Sequence, residues 1–274
     1  MSETKILFTD LDGTLLDDNK NVSSEDLGSV NEMIRAGHRF VIATGRPLYS
    51  AKVVAGELGL YRDGIYLAAS NGGVIFDCST EKIISACSVE FDTVRTLFEA
   101  AAKAHLHIQT YTDDYVVALK KTPEIEQYCT RIKMPYKILE RIPEDLPAPP
   151  PKCIVMSIED DSRHILEVFE GENRSVVSKK VTSVFSNDNL LEYLPLQASK
   201  GNAVKKLCEL IGIDIADTVA AGDEANDIPM IEAAGIGAVM KNGTDEAKSY
   251  ADYVTEHTNN ESGVSEIIRR FILN

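Results

Sequence analysis

The feature that most restricts the fold of this chain is an alternation of short apolar runs with helix-period segments, and it occurs twice. Residues 5–9 (KILFT) form an apolar run, and residues 23–36 then carry Leu27, Val30 and Ile34 at helical spacing before Gly37 closes the segment. A second run, 39–44 (RFVIAT), precedes a helical stretch over 47–58 that ends at Gly59, and a third run follows at 65–69. Near the other end, a helix over 200–211 closed by Gly212 leads to a strand at 218–221, a helix over 227–234 closed by Gly235, and a strand at 236–240. Strands and helices joined in this order by short links describe a parallel sheet covered by helices.

Between these stretches the texture changes. Residues 89–192 hold a helical segment at 93–104, strand-like runs at 115–119 and 153–158, and a proline cluster at 147–151 that reads as a stiff connector. A chain of 274 residues is long for one typical domain. The expected architecture is therefore α/β: a Rossmann-like parallel-sheet core from residues 1–88 and 193–274, with an inserted α+β cap domain over 89–192.

Charge narrows the partners. The formal net charge is -15, and a protein that grips a nucleic-acid backbone needs the opposite balance. A small anionic substrate remains compatible if its charge is met locally by a cation, a few basic side chains or oriented N–H groups. The five cysteines are scattered and odd in number, without a Cys-x-x-Cys pair, which suggests neither a disulfide framework nor a zinc site. The polar start at residues 1–5 leaves no room for an apolar leader, and no apolar stretch approaches a membrane span, so the expectation is a cytoplasmic protein with no membrane partner. The oligomeric state is not legible.

Four motifs carry candidate chemistry. Asp10-Leu11-Asp12-Gly13-Thr14 directly follows the first strand, where side chains two apart point the same way if the chain stays extended, and two carboxylates so placed call for a cation or a proton between them. Thr44-Gly45-Arg46 ends the second strand, just before a helix, where a hydroxyl and N–H groups can hold an anion. Ser199-Lys200-Gly201 opens the helix over 200–211, and Gly222-Asp223-Glu224-Ala225-Asn226-Asp227 follows the strand at 218–221. Each has a plainer reading: an acidic turn, ordinary turn chemistry, a surface lysine, a helix cap. Their common placement at strand ends or adjoining helix starts of one inferred sheet is what makes them notable.

Together the motifs resemble those of the haloacid dehalogenase-like hydrolase superfamily, and most closely its Cof-type hydrolases, many of which dephosphorylate sugar phosphates. Asn71-Gly72 and Ile228-Pro229-Met230 fit the same subgroup; Met240-Lys241-Asn242-Gly243 departs from it in the residues flanking the Asn. Only 31 residues separate Asp12 from Thr44, whereas 155 separate Thr44 from Lys200, so the cap belongs in the second interval, as a C2-type cap. The resemblance implies Asp10 as nucleophile and Asp12 as general acid and then base, the latter starting protonated beside an ionised Asp10. It further implies magnesium held by the Asp10 carboxylate, the Asp12 carbonyl and Asp223, with Asp227 in support. The phosphoryl oxygens would be held by Thr44, Lys200, Asn226 and the N–H groups of Leu11 and Gly45, and the cap would read the leaving group.

The implied function is a magnesium-dependent phosphatase of a small phosphorylated metabolite, sugar phosphates first, with nucleotide, flavin or pyridoxal phosphates as alternatives. A phosphomutase is disfavoured by cap placement, and a non-catalytic phosphate sensor by the presence of Asp10, Asp12 and Lys200. A dinucleotide-binding protein lacks its glycine fingerprint, since Gly235-Ile236-Gly237 leads into a strand. His105 and His107 form a possible metal pair on a strand without a third ligand.

Overall fold

The computed structural model describes residues 4–274, so the first three residues of the polar start lie outside the described part. In chain order the first stretch holds β1 (Ile6–Thr9), α1 (Ser24–Arg35), β2 (Arg39–Ala43), α2 (Leu48–Glu57), β3 (Ile65–Ala69), β4 (Val74–Asp77) and β5 (Lys82–Ala86). The middle holds α3 (Phe91–Lys103), β6 (His107–Tyr111), β7 (Val116–Ala118), α4 (Pro123–Ile132), β8 (Tyr136–Ile138), β9 (Cys153–Met156), α5 (Ser162–Val177), β10 (Val181–Asn187) and β11 (Leu190–Pro195). The last stretch holds α6 (Lys200–Ile211), β12 (Thr218–Gly222), α7 (Ile228–Ala233), β13 (Ile236–Val239), α8 (Asp245–Lys248), β14 (Tyr253–Val254) and α9 (Gly263–Ile267).

The chain divides into two compact units, one formed by the segment up to Ser85 with Ser199–Asn274, the other by Ala86–Ala198. The first is built on an eight-stranded sheet in the order β14-β13-β12-β1-β2-β3-β4-β5, parallel from β14 through β3 and antiparallel at β3–β4. The central strands are apolar at every position because both faces are covered. Leu7, Phe40, Ile42, Leu67 and Val219 pack on one side with Val30 and Met33 of α1 and Val264 of α9. Ile6, Phe8, Val41, Ala43 and Ala220 pack on the other with Val204 and Leu207 of α6 and Met230 of α7. That two-sided burial is what a continuous apolar run signals in a parallel sheet.

The order puts β1 in the middle, with β12 on one side and β2 on the other. Because these strands are parallel, the loops after Thr9, Ala43 and Gly222 leave from the same edge of the sheet. The start of α6 is fixed by Ser199, whose hydroxyl accepts from the Asn202 N–H at 3.0 Å, and its end by Gly212 in the left-handed region.

The second unit is a six-stranded sheet, β10-β11-β9-β6-β7-β8, antiparallel except for β7–β8. Helices α3 and α5 cover one face, burying Val94, Leu97, Phe98, Leu166 and Phe169 against Ile108, Val155, Leu191 and Tyr193.

Two elements escape periodicity. The β4–β5 pair follows a turn that places Ser70, Asn71 and Gly72 all at positive φ, and β5 is an edge strand with little burial to pattern it. Helix α5 carries Gly171 in its interior and is mostly polar, so its apolar stripe is thin. The helix expected from residue 227 begins instead as a 3-10 turn over Ala225–Asp227, with α7 proper starting at Ile228 ahead of Pro229.

Candidate active site

Strand β1 ends at Thr9, and the Asp10 N–H continues the sheet by donating to the Ala221 carbonyl at 2.9 Å. Asp10 is thereby carried to the sheet edge yet stays 7% exposed. Lys200, from the first turn of α6, lies fully inside the fold; its ammonium donates to Asp10 Oδ1 and to Asp227 Oδ1, both at 2.5 Å. The plain reading of Lys200 as a solvated surface residue is thus excluded.

Asp227 is itself anchored, its Oδ2 accepting from the N–H groups of Asp223 at 2.9 Å and Glu224 at 3.1 Å. Gly222 makes this close loop possible, since a Cβ there would lie 2.4 Å from that of Asp227. Asp223 is held by the Thr14 hydroxyl, which donates to its Oδ1 at 2.6 Å. Gly13, at φ +89°, lets the first loop pass so near that a Cβ would sit 2.4 Å from Asp223 Oδ2. The departing loop at Asn242-Gly243 braces this arrangement: the Asn242 amide donates to the Gly13 carbonyl at 2.8 Å, and the Thr244 N–H to the Asp223 carbonyl at 2.9 Å.

One carboxylate oxygen each of Asp10, Asp223 and Asp227 lie within 4.8 Å of one another. Burial, the largest influence, pushes the Asp10 carboxyl up to about 7 against the pull of Lys200, and the charges of Asp227 and Asp223 add to the rise. Burial also lifts Asp223 to about 7, opposed by the Thr14 hydrogen bond and reinforced by Asp227 and Glu224. Burial would lower Lys200, but Asp10 and Asp227 more than reverse that and hold it protonated. One ammonium therefore faces three carboxylates, and among the described residues none donates a hydrogen bond to Oδ2 of Asp10 or of Asp223. A compact set of hard oxygen donors with uncompensated charge suits a divalent cation such as magnesium.

Asp12 occupies a different environment from Asp10. The strand ends before it, so the alternation expected to aim both carboxylates together does not extend through residues 10–12. Its side chain, 39% exposed, takes a bidentate pair from Arg46, Nε to Oδ2 at 2.9 Å and Nη2 to Oδ1 at 2.8 Å, and an ion pair from Lys20 at 3.0 Å. Burial raises the Asp12 carboxyl, but Arg46 and Lys20 outweigh it and hold the group below the usual carboxylate range. The expectation of a raised Asp12 beside an ionised Asp10 is reversed: the carboxyl pushed up is Asp10. The resemblance gives Arg46 of Thr44-Gly45-Arg46 no role; the signal for one is a rigid, bidentate guanidinium at the next strand end.

Thr44 is buried at the end of β2, its hydroxyl accepting from the Arg46 N–H at 3.2 Å and keeping its own proton to donate. Gly45 lies against Asn71, whose Oδ1 would be 3.2 Å from a Cβ added there. The Leu11 side chain is fully buried in the core, leaving only its backbone to the loop. Asn226 is exposed in the 3-10 turn, one residue before Asp227. His105 and His107 make no metal pair: His105 sits in a turn at φ +57°, and His107 is hydrogen-bonded to Thr122 and Gln109.

A sequence profile described as haloacid dehalogenase-like hydrolase matches residues 7–268. The chain belongs to this family. It is 31% identical to YxeH of Bacillus subtilis (strain 168), over 98% of each chain, and 30% identical to the 5-amino-6-(5-phospho-D-ribitylamino)uracil phosphatase YcsE of the same organism, over 99% of this chain and 97% of that one. Among solved structures, a haloacid dehalogenase-like hydrolase from Bacteroides thetaiotaomicron superposes with a TM-score of 0.89 at 30% identity, covering 98% of this chain and 99% of the other. The chain is thus a hydrolase of phosphatase class. No helix among the described residues is long and apolar enough to cross a membrane.

Proposed function

We propose that this phosphatase is magnesium-dependent, attacks phosphorus with Asp10, and acts on small phosphorylated metabolites whose ester oxygen belongs to a sugar or a sugar-like polyol. The observation that carries the reading is the state of Asp10: buried at a strand end, one oxygen fixed on Lys200 and the other without an internal donor. A carboxylate so held is oriented for attack and is not consumed by a structural ion pair. The polyol preference rests on the subgroup resemblance and on the name of YcsE, whose substrate is a phosphate ester of a ribityl chain.

In this mechanism Asp10 Oδ2 forms a bond to phosphorus while the bond to the ester oxygen breaks, and that oxygen takes a proton from Asp12. Water then attacks phosphorus, gives its proton to Asp12, and frees phosphate from Asp10. Asp12 must take up a proton and leave the Arg46 fork before it can serve as acid; paired to Arg46 it is the base form that the second step requires. Lys200, the Thr44 hydroxyl, the Asn226 amide and the N–H groups of Leu11 and Gly45 hold the phosphoryl oxygens. Asp10, Asp223 and the Asp12 carbonyl would hold magnesium, which would supply positive charge against the transferring group, and Asp227 keeps Lys200 and the Asp223 loop in place.

The test is turnover of p-nitrophenyl phosphate with and without a chelator, followed by a panel of hexose, pentose and pentitol phosphates, flavin mononucleotide and pyridoxal phosphate ranked by kcat/KM. Turnover that survives metal removal would reject the metal-dependent reading. A panel led by the pyridoxal ester would reject the polyol preference alone.

A further inference from the structure

Three consecutive residues after β3, Ser70, Asn71 and Gly72, lie at φ +51°, +55° and +81°. Two of the three are not glycine, and such a run is costly unless the surrounding structure fixes it. Its surroundings are two elements that carry candidate holders of the phosphoryl group. The Ser70 N–H donates to the Arg46 carbonyl at 2.8 Å and the Asn71 N–H to the Thr44 carbonyl at 3.0 Å, so the turn clasps the loop that follows β2. Gly72 abuts the first turn of α6, where an added Cβ would lie 2.5 Å from the Ser199 carbonyl oxygen and 2.9 Å from the Ala203 Cβ.

The bond to Thr44 bears on Gly45, because the Thr44 carbonyl and the Gly45 N–H belong to one planar trans peptide and point in opposite directions. Holding that carbonyl on Asn71 therefore aims the Gly45 N–H away from the turn. The Asn71 side chain is placed to stop the same peptide from rotating: the residue is 8% exposed, and a Cβ on Gly45 would sit 3.2 Å from Asn71 Oδ1 and 3.6 Å from Nδ2. A turn requirement alone would be met by glycine at this position, which takes positive φ without strain. The carboxamide packed on Gly45 is what a glycine there would lack.

We propose that Asn71 is a positioning residue for phosphoryl transfer: its N–H and carboxamide fix the Thr44–Gly45 peptide, and with it the donors that meet the phosphoryl oxygens, while Gly72 keeps this loop in register with the helix that delivers Lys200. Asn71 acts through Thr44 and Gly45 and is assigned no contact of its own with substrate. This role rests on the reading of Thr44 and the Gly45 N–H as holders of phosphoryl oxygens.

The experiment is a double-variant cycle on the full-length protein with Asn71→Gly and Thr44→Val, measuring kcat and KM for p-nitrophenyl phosphate in the presence of magnesium, and the folded fraction by thermal unfolding. Glycine keeps the left-handed backbone and the N–H and removes only the carboxamide, so Asn71→Gly is expected to unfold near the parent's temperature. Its kcat per folded molecule should fall by roughly tenfold or more with KM changed by less than about threefold, the pattern of an interaction realised in the transition state. The two losses should not multiply: in Thr44→Val protein the same Asn71→Gly change should slow turnover much less than in the parent. A parental kcat in Asn71→Gly, or losses that multiply in the double variant, would overturn the proposal, as would a loss of turnover fully accounted for by unfolded protein. If Thr44→Val alone leaves kcat and KM untouched, the phosphoryl-holding reading falls and the positioning role with it; a slowed Thr44→Val beside an unaffected Asn71→Gly removes the positioning role only.

Discussion

Each of the two units buries a lysine, and the two lysines differ in what they leave unsatisfied. Lys152, just before β9, pairs with Glu192 on β11 at 2.7 Å, the two side chains being 1% and 5% exposed, and the other Glu192 oxygen takes the Ser186 hydroxyl at 2.5 Å. One positive charge meets one negative charge. Lys200 instead bridges two carboxylates with a third nearby, and two of the three are pushed up to about 7. Burial of a lysine is therefore no mark of function by itself; what separates the pair is the sum of charges around it. A balanced pair is compatible with a structural role, whereas a negative surplus at a strand edge marks a candidate cation site.

The sharpest way to break this comparison is Asp10→Asn. Turnover of p-nitrophenyl phosphate should fall by about 10⁴-fold or more, since the amide cannot act as nucleophile, while thermal unfolding shows a folded protein. Acid-quenched labelling should find phosphate on Asp10 in the parent and none in the variant, and substantial activity in a clean preparation would remove Asp10 from its role.

Next come the lysines themselves. Lys200→Met should abolish turnover per folded molecule. Lys152→Met should cost about 3–5 kcal/mol by leaving Glu192 buried without its counter-ion, with kcat of the folded fraction little changed. Lys152→Met combined with Glu192→Leu should recover most of that loss. If the double variant stays as unstable as the single one in urea unfolding, the pair is not the balanced structural unit described.

A third effect is on pH. Asp10 and Asp223 have folded-state values near 7 against the ordinary 3.8, so the folded protein holds more protons than the unfolded chain between about pH 4 and 7. Their contribution is fully present below that window and is lost as pH rises through it, on the order of a few kcal/mol in chelator-treated protein. Magnesium should flatten the loss, because it stabilises the ionised carboxylates. Thermal unfolding of metal-free parent and Asp223→Asn from pH 5 to 8 checks it: the parent slope should exceed that of the variant, and equal slopes would mean Asp223 is not a raised group.

The smallest expected change is in Asn242→Ala, which removes the bond to the Gly13 carbonyl and the one accepted from the Asn259 N–H at 2.9 Å. We expect about 1–2 kcal/mol of stability and a several-fold loss of kcat through a looser Gly13 turn. An unchanged kcat would separate this brace from the chemistry.

The central strands were legible because burial on both faces writes itself as unbroken apolar runs such as ILFT, and the helices because Leu27, Val30 and Ile34 repeat at the helical interval. The positions of Asp10, Thr44 and Asp223 followed from strand ends and that of Lys200 from a helix start. What could not be read was the partner of each charge. Asp10 and Asp12 are two residues apart, yet one faces Lys200 and the other Arg46 and Lys20, a division set by where the strand stops and by side chains far off in sequence. The role of Gly13 was legible only as a bend; that it clears space for Asp223 required the fold.

The central place of β1 also governs when the protein can become an enzyme. Ile6 pairs with Thr218, so β1 waits for one of its neighbours until about two hundred further residues have been made. A nascent chain that stops short of Thr218 carries Asp10 but neither Asp223 nor Asp227. The last segment then ties back to the first, with the Ser265 N–H on Asp26, the Asn259 amide on the Leu16 carbonyl and Lys5 on the Phe271 carbonyl. Such long-range closure slows folding, and a chain cut short before Thr218 leaves β1 without one of its two sheet partners.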